Sequence, residues 1–168
     1  MTEPEFSRPI RAHDVAQPRQ HNIGATASER EALARRFDLL ALDRLEATLH
    51  TSREAHSASG AILIKGRISA AGTQPCARTR APVPFTIAEA ITLRLIPESP
   101  EGEDLELSAE DLDSEPLTTD IIDLGEYTAQ ALGLALDPYP RSTEPAPHVL
   151  TEEQARAASS PFAVLKKP

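Results

Sequence analysis

Residues 62–70 read Ile62-Leu63-Ile64-Lys65-Gly66-Arg67-Ile68-Ser69-Ala70, and every second residue from Ile62 onward is apolar or small. Successive side chains of a β strand point to opposite faces of a sheet, so this period of two predicts a half-buried strand. Two neighbouring runs show the same period, residues 44–50 and residues 85–95. Short polar connections make antiparallel neighbours the simplest arrangement of the three strands.

Two helices are predicted beside these strands. Ser28-Glu29-Arg30-Glu31 matches a capping box and predicts a helix over about residues 28–39. Asp123 is the predicted N-cap of a second helix, which Pro138 and Pro140 end. The predicted apolar stripe of this second helix consists of Leu124, Tyr127, Thr128, Ala131, Leu134 and Ala135.

The elements together predict an α+β fold, an antiparallel sheet with two helices, with a partly barrel-like sheet as one version. Pro9 limits a short strand within residues 1–11 to a sheet edge. Residues 17–27 are predicted as loop and residues 97–119 as an acidic loop. One domain is expected over residues 1–141, followed by a mobile Pro/Ala-rich tail over 142–168. That tail has an apolar docking point at Phe162, Val164 and Leu165.

Composition narrows the classes of protein to which the chain can belong. Of its 168 residues 40% are hydrophobic, only 4% are aromatic and 15 are proline, which predicts a modest aliphatic core. No apolar run is long enough to cross a bilayer, and the first residues lack the features of a secretory signal. The single cysteine cannot form an internal disulfide. A cytoplasmic protein is therefore predicted.

The net charge of −9 is unevenly distributed along the chain. Residues 1–94 carry 13 basic and 10 acidic side chains, whereas residues 95–140 carry 13 acidic side chains and no Lys or Arg. A protein that coats nucleic acid would have a high pI and positive charge over a whole face. That class is disfavoured, but a local basic patch remains compatible with the sequence.

The most unusual segment is Gln74-Pro75-Cys76-Ala77-Arg78-Thr79-Arg80-Ala81-Pro82-Val83-Pro84, which joins two predicted strands. Its arginines, with two cations of the preceding strand, could form a patch for phosphate or acidic side chains. The alternative is that the arginines are simply solvated. The candidate contact residues for RNA or another partner are Lys65, Arg67, Gln74, Cys76, Arg78 and Arg80.

Enzymatic and metal-binding roles have little support in the sequence. Cys76 could act as a nucleophile whose thiolate the nearby arginines favour. No histidine lies near it in sequence, although His50 and His56, on an adjacent predicted strand and at its end, could supply a base in space. A small packing thiol is the simpler interpretation. Neither Cys76 nor the histidines show metal-ligand spacing. We therefore predict no catalytic residue, no metal and no cofactor.

The acidic loop is a second candidate surface. Its carboxylates could bind a basic partner, or the loop could be a solvated tether. The candidate residues are Glu101, Glu103, Asp104, Glu110, Asp111 and Asp113.

Several of these motifs, in this order, resemble the bacterial YceD family, also called DUF177 or the large ribosomal RNA subunit accumulation family. The central resemblance runs from Gly66-Arg67-Ile68 through Gln74-Pro75-Cys76-Ala77-Arg78-Thr79 to the strand that ends at Pro97. Residues 122–126, 134–141 and 161–166 continue it, and Glu5-Phe6-Ser7-Arg8-Pro9 is similar to alphaproteobacterial members.

The resemblance implies a non-enzymatic role in the synthesis, processing or stability of 23S rRNA during assembly of the large ribosomal subunit. The implied partners are 23S rRNA or a large-subunit ribosomal protein, with ribosomal protein L32 as one candidate. Direct RNA contact and capture of a basic ribosomal protein by the acidic segment both remain open. Many members carry a second cysteine where this chain has Thr79, and later cysteines near residues 137–141, so their metal binding does not carry over.

Overall fold

The computed structural model describes residues 4–54, 60–97 and 114–143. The α helices within these ranges are α1 (Ala27–Arg36) and α2 (Leu124–Ala135), and a short 3₁₀ helix spans Ala12–Asp14. The strands are β1 (Pro9–Arg11), β2 (Arg19–Gly24), β3 (Ala41–Arg53), β4 (Ile62–Pro75), β5 (Pro82–Pro97), β6 (Ser114–Leu117) and β7 (Ile121–Asp123).

A five-stranded sheet in the order β2-β3-β4-β5-β6 dominates the molecule. Its pairs are antiparallel except for β5 and β6, which run parallel. The predicted α+β class is confirmed. The sheet ends in two separate edge strands, β2 and β6, so the barrel-like version is wrong. β1 and β7 form a separate antiparallel pair, which confirms the edge strand at Pro9.

The alternation in the sequence divides the two faces of the sheet. The even-numbered residues of β4 other than Gly66, such as Ile64 and Ile68, and the odd-numbered residues 45–51 of β3 are buried, and their neighbours in sequence are less so. Leu33 of α1, Leu132 of α2 and the N-terminal Phe6 are also fully buried and belong to the same core. Each such side chain stabilises the fold by about 1.5–3 kcal/mol relative to its exposed state.

Gly66 marks the point where β3 and β4 approach most tightly. A Cβ atom at this position would collide with the Thr48 carbonyl oxygen and would lie 2.9 Å from the Leu49 Cα. Glycine is therefore required by the close approach of two backbones.

Asp123 joins the start of α2 to the N-terminal segment. Its carboxylate accepts hydrogen bonds from the N–H groups of Gly125 and Glu126, which caps the helix as predicted. The same carboxylate accepts from the Ser7 hydroxyl at 2.5 Å and from the Arg8 N–H at 2.7 Å. One side chain thus caps α2 and fixes the approach of residues 7 and 8.

The structure corrects two predictions in the first forty residues. Residues 19–24, predicted as loop, form the edge strand β2, whose register pairs Ile23 with Ala47 of β3. α1 begins at Ala27 rather than at Ser28, and its capping box consists of Thr26 and Glu29, not of Ser28 and Glu31. The helix also ends at Arg36, three residues earlier than predicted.

Two further corrections concern the acidic loop and α2. The predicted loop over residues 97–119 contains β6, which pairs with the last residues of β5. Leu134, placed in the apolar stripe of α2, is 90% exposed. Ala129 and Leu132 are buried instead, because the face of α2 against the sheet is rotated from the predicted stripe.

No helix within the described ranges is long and apolar enough to span a membrane. The proposed docking residues Phe162, Val164 and Leu165 lie outside the described residues.

Candidate nucleic-acid interface

Lys65 and Arg67 lie on the outer face of the sheet, opposite to the face that packs on the helices. Both are exposed, whereas Ile64 and Ile68 beside them are buried. Lys65 is flanked by His50 of β3 and Thr92 of β5, and Arg67 by Thr48 and Ala90. Small or polar neighbours therefore leave both cations accessible from solvent.

A third cation extends this surface along the sheet. Arg44 pairs with Ala71 in the β3–β4 register and donates a hydrogen bond of 2.8 Å to the Ser69 hydroxyl. Glu46, opposite Ser69, adds one negative charge to the same face of the sheet. We call Arg44, Lys65 and Arg67 the sheet cations. None of the three has an ion pair with any residue that the structure describes.

The segment between β4 and β5 forms a closed turn. The Cys76 N–H donates to the Ala81 carbonyl, and the Arg80 N–H donates to the Cys76 carbonyl at 2.9 Å. Arg80 adopts a positive φ of 62°, an unusual conformation for a residue with a side chain. We call residues 74–81 the Cys76 turn.

The Cys76 turn docks on the chain that follows α2. The Gln74 side-chain amide donates to the Asp137 carbonyl at 2.9 Å, and the Ala77 N–H donates to the Pro140 carbonyl at 2.8 Å. Gln74 and Cys76 are both buried. Their role is therefore to fix the turn, and the groups that face solvent are the arginines.

The Cys76 sulfur accepts several hydrogen bonds, and these favour its thiolate form. The Ser142 N–H donates to Sγ at 3.3 Å, and the Thr79 hydroxyl and the N–H groups of Arg78 and Thr79 also donate to it. Together they lower the Cys76 pKa from 9.0 to about 6, against the opposing effect of burial. The sequence suggested that the neighbouring arginine charges would favour the thiolate. In the structure its stabilisation comes instead from hydrogen-bond donors, with Ser142 first.

The structure does not bring the six candidate contact residues into one compact patch. Pro75 follows Arg67 by eight positions along β4, so at ~3.3 Å per residue this part of the Cys76 turn lies about 25 Å from Arg67 and farther from Lys65. Arg44, opposite Ala71, lies between them. Arg78 and Arg80 are exposed, and Arg80 makes a long ion pair of 3.4 Å with Asp38. Such an exposed pair contributes at most about 1 kcal/mol, so Arg80 remains available to a partner.

The Cys76 turn does not fit a metal site. Thr79 and Ser142 lie beside the sulfur and supply a hydroxyl and a backbone N–H rather than further metal ligands. Among residues 4–54, 60–97 and 114–143 there is no cluster of three or more Cys, His, Asp or Glu side chains that could hold an ion. His50, considered as a base for Cys76, lies instead opposite Lys65 on the outer face of the sheet.

The acidic candidates fall where the structure gives no description. Glu101, Glu103, Asp104, Glu110, Asp111 and Asp113 all lie outside the described residues, as does His56.

A cavity at the end of β2 was not predicted from the sequence. It has a volume of about 430 Å³, and its walls include Arg11, Asp14, Arg19, His21 and Thr51. Burial, followed by the nearby Arg19 and His50, lowers the pKa of His21 and so disfavours its charged form. Residues 19–23 do alternate as in a strand, but the segment is so polar that its sequence does not distinguish a strand from a loop.

Comparison with known proteins agrees with the ordered motifs. The model of the family described as large ribosomal RNA subunit accumulation protein YceD matches residues 64–167, more than half of the chain. The chain belongs to the YceD family. This YceD match begins within β4 and contains all six candidate contact residues of the sheet and turn. The family description links its members to accumulation of the large-subunit rRNA. Neither the curated proteins nor the solved structures give a match.

Proposed function

We propose that this protein supports accumulation of 23S rRNA by contacting rRNA through the outer face of its sheet during large-subunit assembly. The observation that carries the proposal is the open face with the three sheet cations, which lies within or next to the family-matched region. We place this action in the cytoplasm and propose that it needs no catalysis, because the buried Cys76 serves as a hydrogen-bond acceptor.

The chemistry of this face favours contact with the RNA backbone over reading of bases. Lysine and arginine pair with phosphate oxygens. Small neighbours such as Ala71 and Ala90 leave room for the broad, polar RNA backbone to approach the sheet face. The outer-face positions of β2 to β5 in the described residues carry no Phe, Tyr or Trp on which a base could stack. We therefore expect RNA binding that depends on shape and charge rather than on sequence.

The test uses a double variant, Lys65→Ala with Arg67→Ala, and a 23S rRNA transcript as the probe. Each lost phosphate contact is expected to make the slope of log affinity against log salt concentration shallower by about 1, so the double variant should change it by about 2. Arg11→Ala with Arg35→Ala removes the same charge from elsewhere and serves as the control. Equal salt slopes for the two double variants would overturn the assignment to the sheet face.

The Cys76 turn is proposed as a second RNA contact through Arg78 and Arg80. Because Pro75 of this turn lies about 25 Å from Arg67, a single extended RNA could touch the turn arginines and Arg67 only along a path several base pairs long. The variant Arg78→Ala with Arg80→Ala should weaken binding independently of the sheet variant. The losses of binding free energy caused by the two double variants should then add in the combined variant, as expected for distant sites.

The charge distribution supports a second candidate function, capture of a basic ribosomal protein by the acidic segment. Thirteen acidic and no basic side chains occupy residues 95–140, and complementary charge accelerates and orients association. Ribosomal protein L32 is one candidate partner.

This second function is best tested without a deletion. β5 and β6 are parallel and need a long crossover between them, so a deletion across residues 99–115 would disturb β6 as well as the charge. The carboxylates at 101, 103, 104, 110, 111 and 113 should instead be changed to their amides. Loss of capture of purified L32, with rRNA binding retained, would favour the protein-binding function, and unchanged capture would refute it.

A further inference from the structure

One long strand edge in the described part of the molecule is uncovered. β4 pairs with residues 82–95 of β5, whereas β6 pairs only with residues 94–97 on the other side. Residues 82–93 therefore have no strand partner there among the residues described. Pro82 and Pro84 blunt the first part of this edge, and the backbone groups of residues 85–93 that point away from β4 pair with no strand among the described residues.

A groove runs beside the same edge. It has a volume of about 430 Å³ and is lined by Glu89, Ala90, Ile91 and Thr92 of β5. Because consecutive side chains point to opposite faces of a sheet, four successive residues line one cavity only where it reaches the strand backbone. The groove is therefore open to the unpaired edge.

The opposite wall of the groove is apolar and comes from α2. Ala131, Leu134 and Ala135 form it, with Ile68 of β4 also lining the space. Leu134 is 90% exposed. Glu89 brings a negative charge into the groove and has no partner among the described residues. An occupant should thus be extended, apolar on one face and followed by positive charge.

We propose that residues 161–166 of this chain, Pro161-Phe162-Ala163-Val164-Leu165-Lys166, add to the β5 edge as a strand and fill the groove. Phe162 and Val164 are two residues apart and would share the face toward Leu134 and Ile91. Lys166 and Lys167 follow and supply the charge complementary to Glu89. The family match also ends at residue 167, so the segment and all the residues that line the groove belong to the same matched region.

The connecting chain is long enough for this contact. Thr143, the last residue described, lies next to Ser142, which contacts Cys76 at the end of β4. The groove lies near Ile91, which pairs with Gly66, ten residues or about 33 Å back along β4. Pro161 follows Thr143 by 18 positions, and an extended chain of that length reaches about 60 Å.

The first experiment is a cysteine cross-link in the full chain with Cys76→Ser as background. The pair Leu134→Cys and Phe162→Cys should form an intramolecular disulfide under mild oxidation about tenfold faster than the pair Leu134→Cys and Val149→Cys. The control pair tests another apolar residue of the same tail. Equal rates for the two pairs would overturn the proposal, and a disulfide found only between chains would assign the groove to a second copy instead.

Hydrogen exchange gives an independent measurement. In the full chain, the amides of residues 85–93 should exchange at least about tenfold more slowly than in a chain that ends at Ser160, provided both chains melt cooperatively. The amides of β3 serve as the internal control and should be equally protected in both. No difference at residues 85–93 would contradict the added strand, whatever the outcome for RNA binding.

Discussion

At the scale of single residues, Cys76 shows how a turn can be held by a sulfur that accepts hydrogen bonds. The Ser142 N–H reaches across from the segment after α2, and Thr79 and Arg78 donate from within the turn. The hydrogen bonds favour the charged thiolate and therefore couple the docking of this segment to the ionisation of Cys76. The structure gives this buried residue a structural role.

The first prediction is a pH-dependent contribution of Cys76 to stability. The pKa of Cys76 is about 6 in the folded chain, whereas its ordinary value, which applies to the unfolded chain, is 9.0. The unfolded chain therefore binds the proton more tightly. The thiolate contribution is thus fully present above about pH 9 and is lost as the pH falls through about 6. Cys76→Ser keeps an acceptor that does not titrate. We expect the wild type to exceed this variant in melting temperature by more at pH 9 than at pH 6.

The measurement is thermal unfolding of both chains, with a reductant present, at several pH values between 6 and 9. Other titrating groups are shared by the two chains and cancel in the difference. A difference in melting temperature that stays constant over this range would show that the folded thiol has no depressed pKa.

At the scale of elements, the sequence offers two possible N-termini for α1, and tertiary contacts determine which of them is used. Thr26-Ala27-Ser28-Glu29 and Ser28-Glu29-Arg30-Glu31 both satisfy the capping-box pattern. The first is used, because Glu29 accepts from the Thr26 N–H at 2.7 Å and also forms a two-pronged ion pair with Arg8. Arg8 holds the pKa of Glu29 at about 2.

The second prediction compares Glu29→Ala with Glu31→Ala. Loss of the Glu29 side chain removes its half of the capping box, the hydrogen bond from the Thr26 N–H, and the partner of the half-buried Arg8, and should reduce the free energy of unfolding by about 1–2 kcal/mol. Loss of Glu31 removes an exposed ion pair with Arg35 and should cost less than about 0.5 kcal/mol. Urea unfolding at pH 7 measures both. Equal losses would mean that the helix begins at the later box.

The strands that could be predicted are those with many residues facing the core. β3, β4 and β5 show the period of two over long runs, and the Asp123 cap of α2 is equally clear in sequence. β2 was missed because it is a polar edge strand, in which only His21 and Ile23 are partly buried. β6 contains a proline and depends on its distant partner β5, so local sequence could not reveal it.

The candidate site was predictable as residue types but not as an arrangement. Sequence distance suggested that Lys65, Arg67 and the arginines of the Cys76 turn would form one patch, yet eight positions of β4 separate Arg67 from Pro75. Conversely, Arg11 and Arg19 line one cavity only because β1 pairs with β7 and β2 with β3.

At the scale of the whole molecule, the fold depends on residues on both sides of the family boundary. The match begins at residue 64, yet β3 before it pairs with β4 through twelve residue pairs. Phe6 packs so closely on α2 that a Cβ at Gly125 would collide with the Phe6 carbonyl oxygen. The residues before the match therefore complete the core of the residues within it.

The third prediction is that a chain of residues 61–168 does not fold alone, although it contains the whole matched region. It lacks Phe6, Leu33, Leu45 and Leu49, four fully buried side chains. At about 1.5–3 kcal/mol each, their loss amounts to roughly 6–12 kcal/mol, which is comparable to the whole stability of a typical domain. The fragment should show no cooperative thermal transition by circular dichroism.

The matched control is the complementary fragment of residues 1–60, because this division falls between β3 and β4 and interrupts no strand of the sheet. Mixing the two fragments should restore a cooperative transition, since β3 can still pair with β4 when the chain is cut. A cooperative transition in residues 61–168 alone would mean that the matched region is an independent domain. In that case the sheet face with Lys65 and Arg67 would form without β3 beside it.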